Sequence, residues 1–195
     1  MEVAPALLGR TLVRILPDGT RLSASISETE AYEPGDPASH GFRRMSLRNA
    51  TMFGPPGRLY VYFTYGNHWM MNVVTRPAGE PSAVLLRAAR PLEGVAEMVR
   101  RRGRPRELDL CSGPGKLCQA FGIDRDHDGE DLSRGRTVWL EAGVQPPPEA
   151  VVAGVRVGIS SGLDRHWRFL VEGDPFVSRG RPGSPARGRR RTRSS

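Results

Sequence analysis

Lysine is almost absent from this chain, and its absence limits what the basic net charge can mean. Of the 29 Lys and Arg residues only Lys116 is a lysine, and the arginines occur beside 23 Gly and 17 Pro. A GC-rich coding sequence produces the same bias, so the charge alone is weak evidence for a polyanionic partner. Its distribution is more informative, because residues 1–178 carry 22 basic and 21 acidic side chains, whereas residues 179–195 carry seven arginines and no acid. We therefore predict a nearly neutral domain over 1–178 and a disordered Arg-rich tail over 179–195.

Cysteines and long apolar runs are also scarce. Cys111 and Cys118 are seven positions apart, a spacing that fits neither a CxxC redox pair nor a zinc site. No apolar run comes near the roughly 18 residues that span a bilayer, and the N-terminus lacks the basic segment of a signal peptide. We expect a cytoplasmic protein that binds neither a membrane nor a metal.

Short strands dominate the predicted secondary structure. Residues 11–16 and 21–32 should form a hairpin, because the intervening Pro17-Asp18-Gly19-Thr20 is a turn sequence. Five further stretches are short, rich in β-branched or aromatic residues and bounded by Gly or Pro: 58–66, 82–89, 137–142, 151–159 and 167–173. Helices are predicted over 92–102 and 115–121, with the end of a third in residues 3–8. The length of 195 residues favours one domain.

The second predicted strand ends in two glutamates. If this strand is unbroken, alternation places Leu22, Ala24, Ile26, Glu28, Glu30 and Tyr32 on one face. A carboxylate beside partly buried apolar surface is suited to general-base catalysis. The alternative is two solvated glutamates at a strand end, and spacing alone favours that alternative.

Three of the four tyrosines fall within six residues, at Tyr60, Tyr62 and Tyr65. Leu59, Val61 and Phe63 alternate with them and are predicted to lie in the core. Tyr62 points to the opposite face, and Tyr65 stands at the strand end beside Gly66. Tyr62 and Tyr65 are therefore candidates for stacking on a nucleobase.

The segment Gly113-Pro114-Gly115-Lys116 resembles a phosphate-binding loop only superficially. The GxxxxGK spacing is missing, and Leu117 stands where such a loop has the Ser or Thr that binds magnesium. We therefore predict no nucleotide site in this segment.

Four segments together resemble the alkyladenine (3-methyladenine) DNA glycosylase family. They are SETEAYEPGDPASHGFRR at 27–44, LRNATMFGPPGRLYVYFTYGNHWMMNVV at 47–74, AVLLRAARPLEG at 83–94 and DLCSGPGKLCQAFGI at 109–123. The similarity runs from about Leu8 to Val177. The run ETEAY, a histidine eight residues later, and then LYVYFTYG and VLLRA at these separations are more specific than any single short motif.

This resemblance implies a mixed α/β (α+β) fold, a single compact domain around a curved, mostly antiparallel β-sheet flanked by short helices. It implies a monofunctional, monomeric enzyme of base excision repair that needs no cofactor. Such an enzyme flips alkylated or deaminated purines of the 3-methyladenine, hypoxanthine and ethenoadenine class out of double-stranded DNA. It then hydrolyses the N-glycosidic bond with a water that a glutamate activates.

The resemblance also assigns catalytic roles. Glu30 matches the family's catalytic glutamate, and Arg87 and the main-chain carbonyl of Val157 match the groups that also hold the water. A guanidinium near Glu30 would favour its ionised form, which a base requires.

Substrate-binding roles follow from the same resemblance. Tyr32 on one side, with His40 and Tyr62 on the other, matches the walls of the flipped-base pocket. Tyr65 matches the wedge that fills the gap left in the DNA stack, and Asn72 matches the residue that excludes the 2-amino group of guanine.

The loop after the pocket histidine departs from the family. The family often has Ser-Arg-Gly-Gly there, whereas this chain has Gly41-Phe42-Arg43-Arg44, which affects contacts to DNA rather than the chemistry. The only lysine, Lys116, lies in the GPGK segment and is separated in the sequence from the residues with assigned roles, which disfavours a second, lyase activity through a Schiff base.

Two other classes of function remain as alternatives. The first is a catalytically inactive DNA- or RNA-binding module of the same fold, although all the candidate chemical residues are present. The second is a small-substrate hydrolase that uses Glu28 and Glu30, but neighbouring glutamates on one strand face are too close for an inverting pair with water between them.

Overall fold

Eight antiparallel strands form one curled sheet in the computed structural model, which describes residues 2–64, 66–103 and 105–180. The strands are β1 (Thr11–Ile15), β2 (Arg21–Tyr32), β3 (Leu59–Thr64), β4 (His68–Val74), β5 (Ala83–Glu93), β6 (Val138–Glu141), β7 (Val151–Gly154) and β8 (Arg168–Val171). The α-helices within these ranges are α1 (Val3–Ala6), α2 (Val95–Arg102) and α3 (Pro114–Phe121). The expectation of a mixed α/β domain around a curved antiparallel sheet is confirmed.

Strand β2 is the centre of the sheet, whose main path runs β3-β4-β5-β2-β1-β6. Its first half pairs with β1, its second half pairs with β8, and β5 lies along its other edge. Strand β7 extends the sheet beyond β8. Because one strand exchanges partners along its length, the sheet curls and carries the end of β2 into a concave surface.

The opening hairpin forms as predicted. Gly19 has a φ of 85°, a left-handed conformation that favours glycine, and the Thr20 amide donates to Asp18 Oδ1 at 2.9 Å. The Leu16 amide donates to the Thr20 carbonyl and closes the turn at 2.9 Å. The turn thereby sets the register in which Leu12 faces Ala24.

Several predicted elements have different bounds, and the local structure explains the difference for α2 and β7. Helix α2 begins at Val95 rather than residue 92, because β5 continues to Glu93 and Gly94 then turns with a φ of 69°. The strand predicted over 151–159 ends at Gly154, because Arg156 leaves the sheet to form a fully buried ion pair with Asp36.

A β-bulge divides β2 into two segments whose side chains face opposite ways. Ser27 is the extra residue on β2, whereas two further register shifts leave Arg87 and Leu92 as extra residues on β5. Leu22, Ala24, Ile26 and, beyond the bulge, Ala31 belong to the main core cluster. The expectation that the glutamates share a face with the apolar residues before them is therefore wrong. Glu28, Glu30 and Tyr32 turn instead to the concave side.

The main core lies between the convex side of the sheet and the helices. Helix α3 packs on β4 and α2, and the Arg14 guanidinium closes its end by donating to the Phe121 carbonyl. No helix in the described ranges is long and apolar enough to cross a membrane. The Arg-rich tail is predicted to begin at residue 179, and residues 181–195 of it lie outside the described residues.

Candidate active site

A row of paired residues crosses four strands and ends at Glu30. Tyr60 pairs with Asn72, Asn72 pairs with Leu85, and Leu85 pairs with Glu30. Directly opposed residues in a sheet project to the same side. The sheet therefore brings side chains from four separate strands to its concave face.

A pocket of about 380 Å³ opens over this row. Six residues to which the family resemblance gave roles line it: Tyr32, His40, Tyr62, Asn72, Arg87 and Val157. Glu30 has no exposed surface and lies behind this lining, where it bonds Tyr32, Arg87 and Val157. The structure thus brings together seven of the eight predicted site residues, and the eighth, Tyr65, lies outside the described residues.

Three donors from three parts of the chain hold the Glu30 carboxylate. The Val157 amide donates to Oε1 at 2.6 Å, whereas the Tyr32 hydroxyl and the Arg87 Nη1 donate to Oε2 at 3.0 and 3.3 Å. The interpretation of Glu30 as a solvated residue is wrong, because both Glu28 and Glu30 are completely buried.

Burial raises the pKa of Glu30 above the ordinary glutamate value, and the nearby Glu28 charge adds to the rise. Arg87, the Val157 amide and the Tyr32 hydroxyl oppose it by stabilising the carboxylate. Burial has the largest effect, so the result is a carboxylate more basic than one at the surface. Such a group can accept a proton from water near neutral pH more readily than an ordinary glutamate.

Buried charges support the first wall of the pocket. The Tyr32 ring lies 4.7 Å from the guanidinium carbon of Arg156, which is completely buried and does not line the pocket. Arg156 Nη2 donates to Asp36 Oδ1 at 2.9 Å, and its Nη1 donates to the Ala31 carbonyl at 2.9 Å. Burial and the Glu30 charge raise the pKa of Tyr32 well above its ordinary value, so the phenol remains a donor to Glu30.

The second wall is a group of aromatic rings at the pocket mouth. His40 meets Tyr62 edge-on with ring centroids 4.4 Å apart, and His40 Nδ1 lies 3.0 Å from the Tyr60 hydroxyl. Desolvation among these rings, together with the nearby Arg48 charge, lowers the pKa of His40. A neutral imidazole is therefore favoured. Tyr60 also lines the pocket, because it lies on the same face of β3 as Tyr62. A role for Tyr60 in the site was not predicted from the sequence.

Asn72 has a fixed orientation inside the pocket. Its side chain is buried, and Nδ2 donates to the Tyr60 carbonyl at 3.0 Å. This bond holds the amide in the middle of the row, between Tyr60 and Leu85. The pocket therefore presents a polar group that cannot easily rotate away.

The segment Gly113–Lys116 also lines the pocket. Lys116 Nζ lies 3.1 Å from Ser112 Oγ and 3.7 Å from Asp109 Oδ1. The sequence separates this lysine from the other motifs, but packing of α3 against β4 brings it to the site. Its position in the sequence is therefore no evidence against Schiff-base chemistry.

The loop at residues 42–48, which follows His40, is exposed beside the pocket. Residues 42–48 combine arginines with large apolar side chains, and Leu47 is fully exposed. Asn49 secures the loop by donating to the His40 carbonyl at 2.7 Å and accepting from the Ser46 amide at 2.6 Å. Phe63, predicted to be core, is 44% exposed near this loop, and Arg48 donates to its carbonyl.

Comparison with known proteins identifies the family. A family model described as methylpurine-DNA glycosylase matches residues 1–175. A protein of Chlorobium phaeovibrioides named "Putative 3-methyladenine DNA glycosylase" is 48% identical over 183 residues, 93% of each chain. A protein of the same name from Rubrobacter xylanophilus is 48% identical, and the match covers 86% of each chain. Another from Streptomyces avermitilis is 45% identical, and the match covers 97% of this chain and 91% of that protein. The chain therefore belongs to the methylpurine-DNA glycosylase family, and it is a DNA glycosylase of base excision repair.

Proposed function

We propose that this protein releases alkylated and deaminated purines from duplex DNA by hydrolysis, with Glu30 as the general base. The observation that carries the proposal is a buried carboxylate bonded to three residues that line an aromatic pocket. Three donors among the described residues occupy three of the roughly four acceptor positions of that carboxylate. About one position is left, which in this proposal accepts a hydrogen bond from the attacking water.

The reaction follows from that arrangement. The water oxygen bonds to C1′ of the flipped nucleotide, and the bond from C1′ to the base nitrogen breaks with its electron pair leaving on the base. The water proton passes to Glu30, whose pKa burial has raised. In this proposal Arg87 and the Val157 carbonyl orient the water, and neither a metal nor an organic cofactor takes part.

The walls of the pocket account for the choice of substrate. Tyr32, His40 and Tyr62 all line the pocket, and in this proposal a flipped purine stacks between Tyr32 on one side and the His40 and Tyr62 pair on the other. An alkylated adenine that carries positive charge is further attracted to aromatic faces. Asn72, fixed to the Tyr60 carbonyl, excludes a base with an amino group at position 2.

We propose further that the enzyme is monofunctional and acts as a monomer, with Tyr65 as the wedge in the DNA stack. Lys116 supports the first point, because its amine is engaged by Ser112 and Asp109 rather than being free to attack C1′. A Schiff base requires an uncharged, unengaged amine.

The test is base release from duplex oligonucleotides that contain hypoxanthine or ethenoadenine, with no added metal. Alkali then cleaves the strand at abasic sites, and we expect cleavage only at the lesion. An otherwise identical undamaged duplex is the control. Lesion binding without any base release would instead favour the inactive binding module.

A further inference from the structure

The chain returns to the catalytic centre after its last strand. Beyond β8, Ser178 reaches the rear of the site, where it is buried against Glu28. Its amide donates to Glu28 Oε2 at 2.7 Å, and its hydroxyl donates to Glu28 Oε1 at 3.0 Å. Residues 150 positions apart in the sequence thus form two hydrogen bonds directly behind Glu30.

The same hydroxyl completes the set of contacts around Arg87. Nε of Arg87 donates to Glu28 Oε1 at 2.9 Å, Nη1 donates to Glu30 Oε2 at 3.3 Å, and Nη2 donates to Ser178 Oγ at 3.2 Å. Each guanidinium nitrogen therefore has a different partner. A planar guanidinium held at all three nitrogens cannot tilt without breaking at least one of these bonds.

A second arginine joins this group from β8. Arg168 Nε donates to Glu28 Oε1 at 2.6 Å. Two carboxylates, Glu28 and Glu30, thus balance two guanidinium groups in a buried cluster. Burial of charge is tolerated only where such partners are in place, so the cluster is sensitive to the loss of any member.

We propose that Ser178 and Glu28 are positioning residues that hold the Arg87 guanidinium, and through it the Glu30 carboxylate, in the geometry the reaction requires. This inference rests on the proposed role of Glu30. It gives the C-terminal segment a part in catalysis that is separate from any attraction of the following arginines to DNA. The segment stays close to the site beyond Ser178. Gly180 lies so near Val157 that a Cβ atom added to this glycine would be 2.5 Å from Val157 Cγ1.

The first test compares two variants that each remove one buried hydroxyl. Ser178→Ala removes the partner of Arg87 Nη2, whereas Thr29→Val removes a hydroxyl that donates to the Ala4 carbonyl at 2.8 Å on the other side of β2. We expect Ser178→Ala to lower the single-turnover rate of hypoxanthine release about 10- to 150-fold, as for the removal of one hydrogen bond to a charged group. Lesion affinity should be unchanged. Thr29→Val should retain the wild-type rate, and equal rates for the two variants would overturn the proposal.

The second test uses Glu28→Gln, which keeps the shape of the side chain and removes its charge. The charged and titratable groups around Glu30 are Glu28 and Tyr32 on β2, Arg87 on β5, Arg168 on β8 and Arg156 beyond β7. Removing one nearby negative charge favours ionisation of Glu30, so the acid limb of the rate profile should move to lower pH. A limb that stays in place would contradict a coupling between Glu28 and Glu30.

A titration that needs no turnover separates this inference from the proposed function. The pKa of Glu30 is measured by NMR on protein labelled with ¹³C-glutamate, and the signal missing from Glu30→Gln identifies the residue. We expect Glu28→Gln to lower this pKa and Thr29→Val to leave it unchanged. If the wild type released no base, the proposed function would fail while the titration still decided the coupling. If base were released but neither Ser178→Ala nor Glu28→Gln had its effect, only the positioning role would fail.

Discussion

Shortening Asn72 to alanine should relax the exclusion of guanine. Asn72 is 3% exposed, and its amide is fixed by the 3.0 Å bond to the Tyr60 carbonyl. Guanine has an amino group at position 2 of the purine, where adenine and hypoxanthine have hydrogen. In the wild type that amino group would be buried against a side chain that cannot move to receive it.

The size of the effect follows from the cost of that mismatch. A buried polar group without a partner costs about 1–3 kcal/mol, which corresponds to about a 5- to 150-fold difference in rate. We expect the ratio of guanine release to hypoxanthine release to rise within this range in Asn72→Ala. Removal of the bond to Tyr60 should also lower the free energy of unfolding by about 1–3 kcal/mol.

The assay is single-turnover release of each base from otherwise identical duplexes, with guanine placed in a G·T mismatch where flipping costs less. Ser23→Ala is the matched control, since it removes a buried hydroxyl that bonds Glu93 at 2.9 Å, away from the pocket. This control should be destabilised without a change in the ratio. An Asn72→Ala enzyme that still processes hypoxanthine at an unchanged ratio would refute the role of Asn72 in selectivity.

Three further predictions concern pH, the basic tail and Lys116. The single-turnover rate should fall in acid, because protonated Glu30 cannot accept a proton from water. Burial raises the pKa of Glu30, so the midpoint of this fall should lie above the ordinary glutamate pKa of about 4.3. A midpoint at or below that value would count against Glu30 as the base. Deleting residues 181–195 removes six arginines but keeps Ser178. The slope of log affinity against log salt concentration should become shallower by about 0.9 for each phosphate that the tail neutralises. Turnover of bound lesion should change little. An unchanged slope would show that the tail does not bind DNA. Borohydride should trap no covalent complex with DNA, whereas an adduct that disappears in Lys116→Ala would contradict a monofunctional enzyme.

Local signals in the sequence were sufficient for several elements of the fold. The hairpin of β1 and β2 depends on a four-residue turn, and α3 begins at Pro114, a residue suited to the first turn of a helix. Strand β4 was not predicted because it is buried on both sides, with Met71 in the core and Met70 at the pocket. It therefore lacks the alternation that reveals a half-exposed strand.

Features that depend on pairing between distant segments could not be predicted. The bulges at Ser27 and Arg87 arise from the register between β2 and β5, which local sequence does not specify. Spacing alone suggested that Glu28 was solvated, because its partners Arg87, Arg168 and Ser178 lie between 59 and 150 positions away. Family resemblance, rather than spacing, selected the residues that the pocket brings together, and their roles remain predictions.

The most direct measurement is the single-turnover rate of hypoxanthine release by Glu30→Gln, with lesion affinity measured in parallel. The amide keeps the shape of the side chain but cannot accept the proton of the water, so the rate should fall about 10²- to 10⁴-fold while lesion binding is retained. Glu33→Gln is the matched control, because it makes the same change three residues along the chain, where the carboxylate bonds Arg76 at 2.6 Å outside the pocket. That control should release hypoxanthine at close to the wild-type rate. A Glu30→Gln enzyme that did the same would contradict the central claim that Glu30 activates the water.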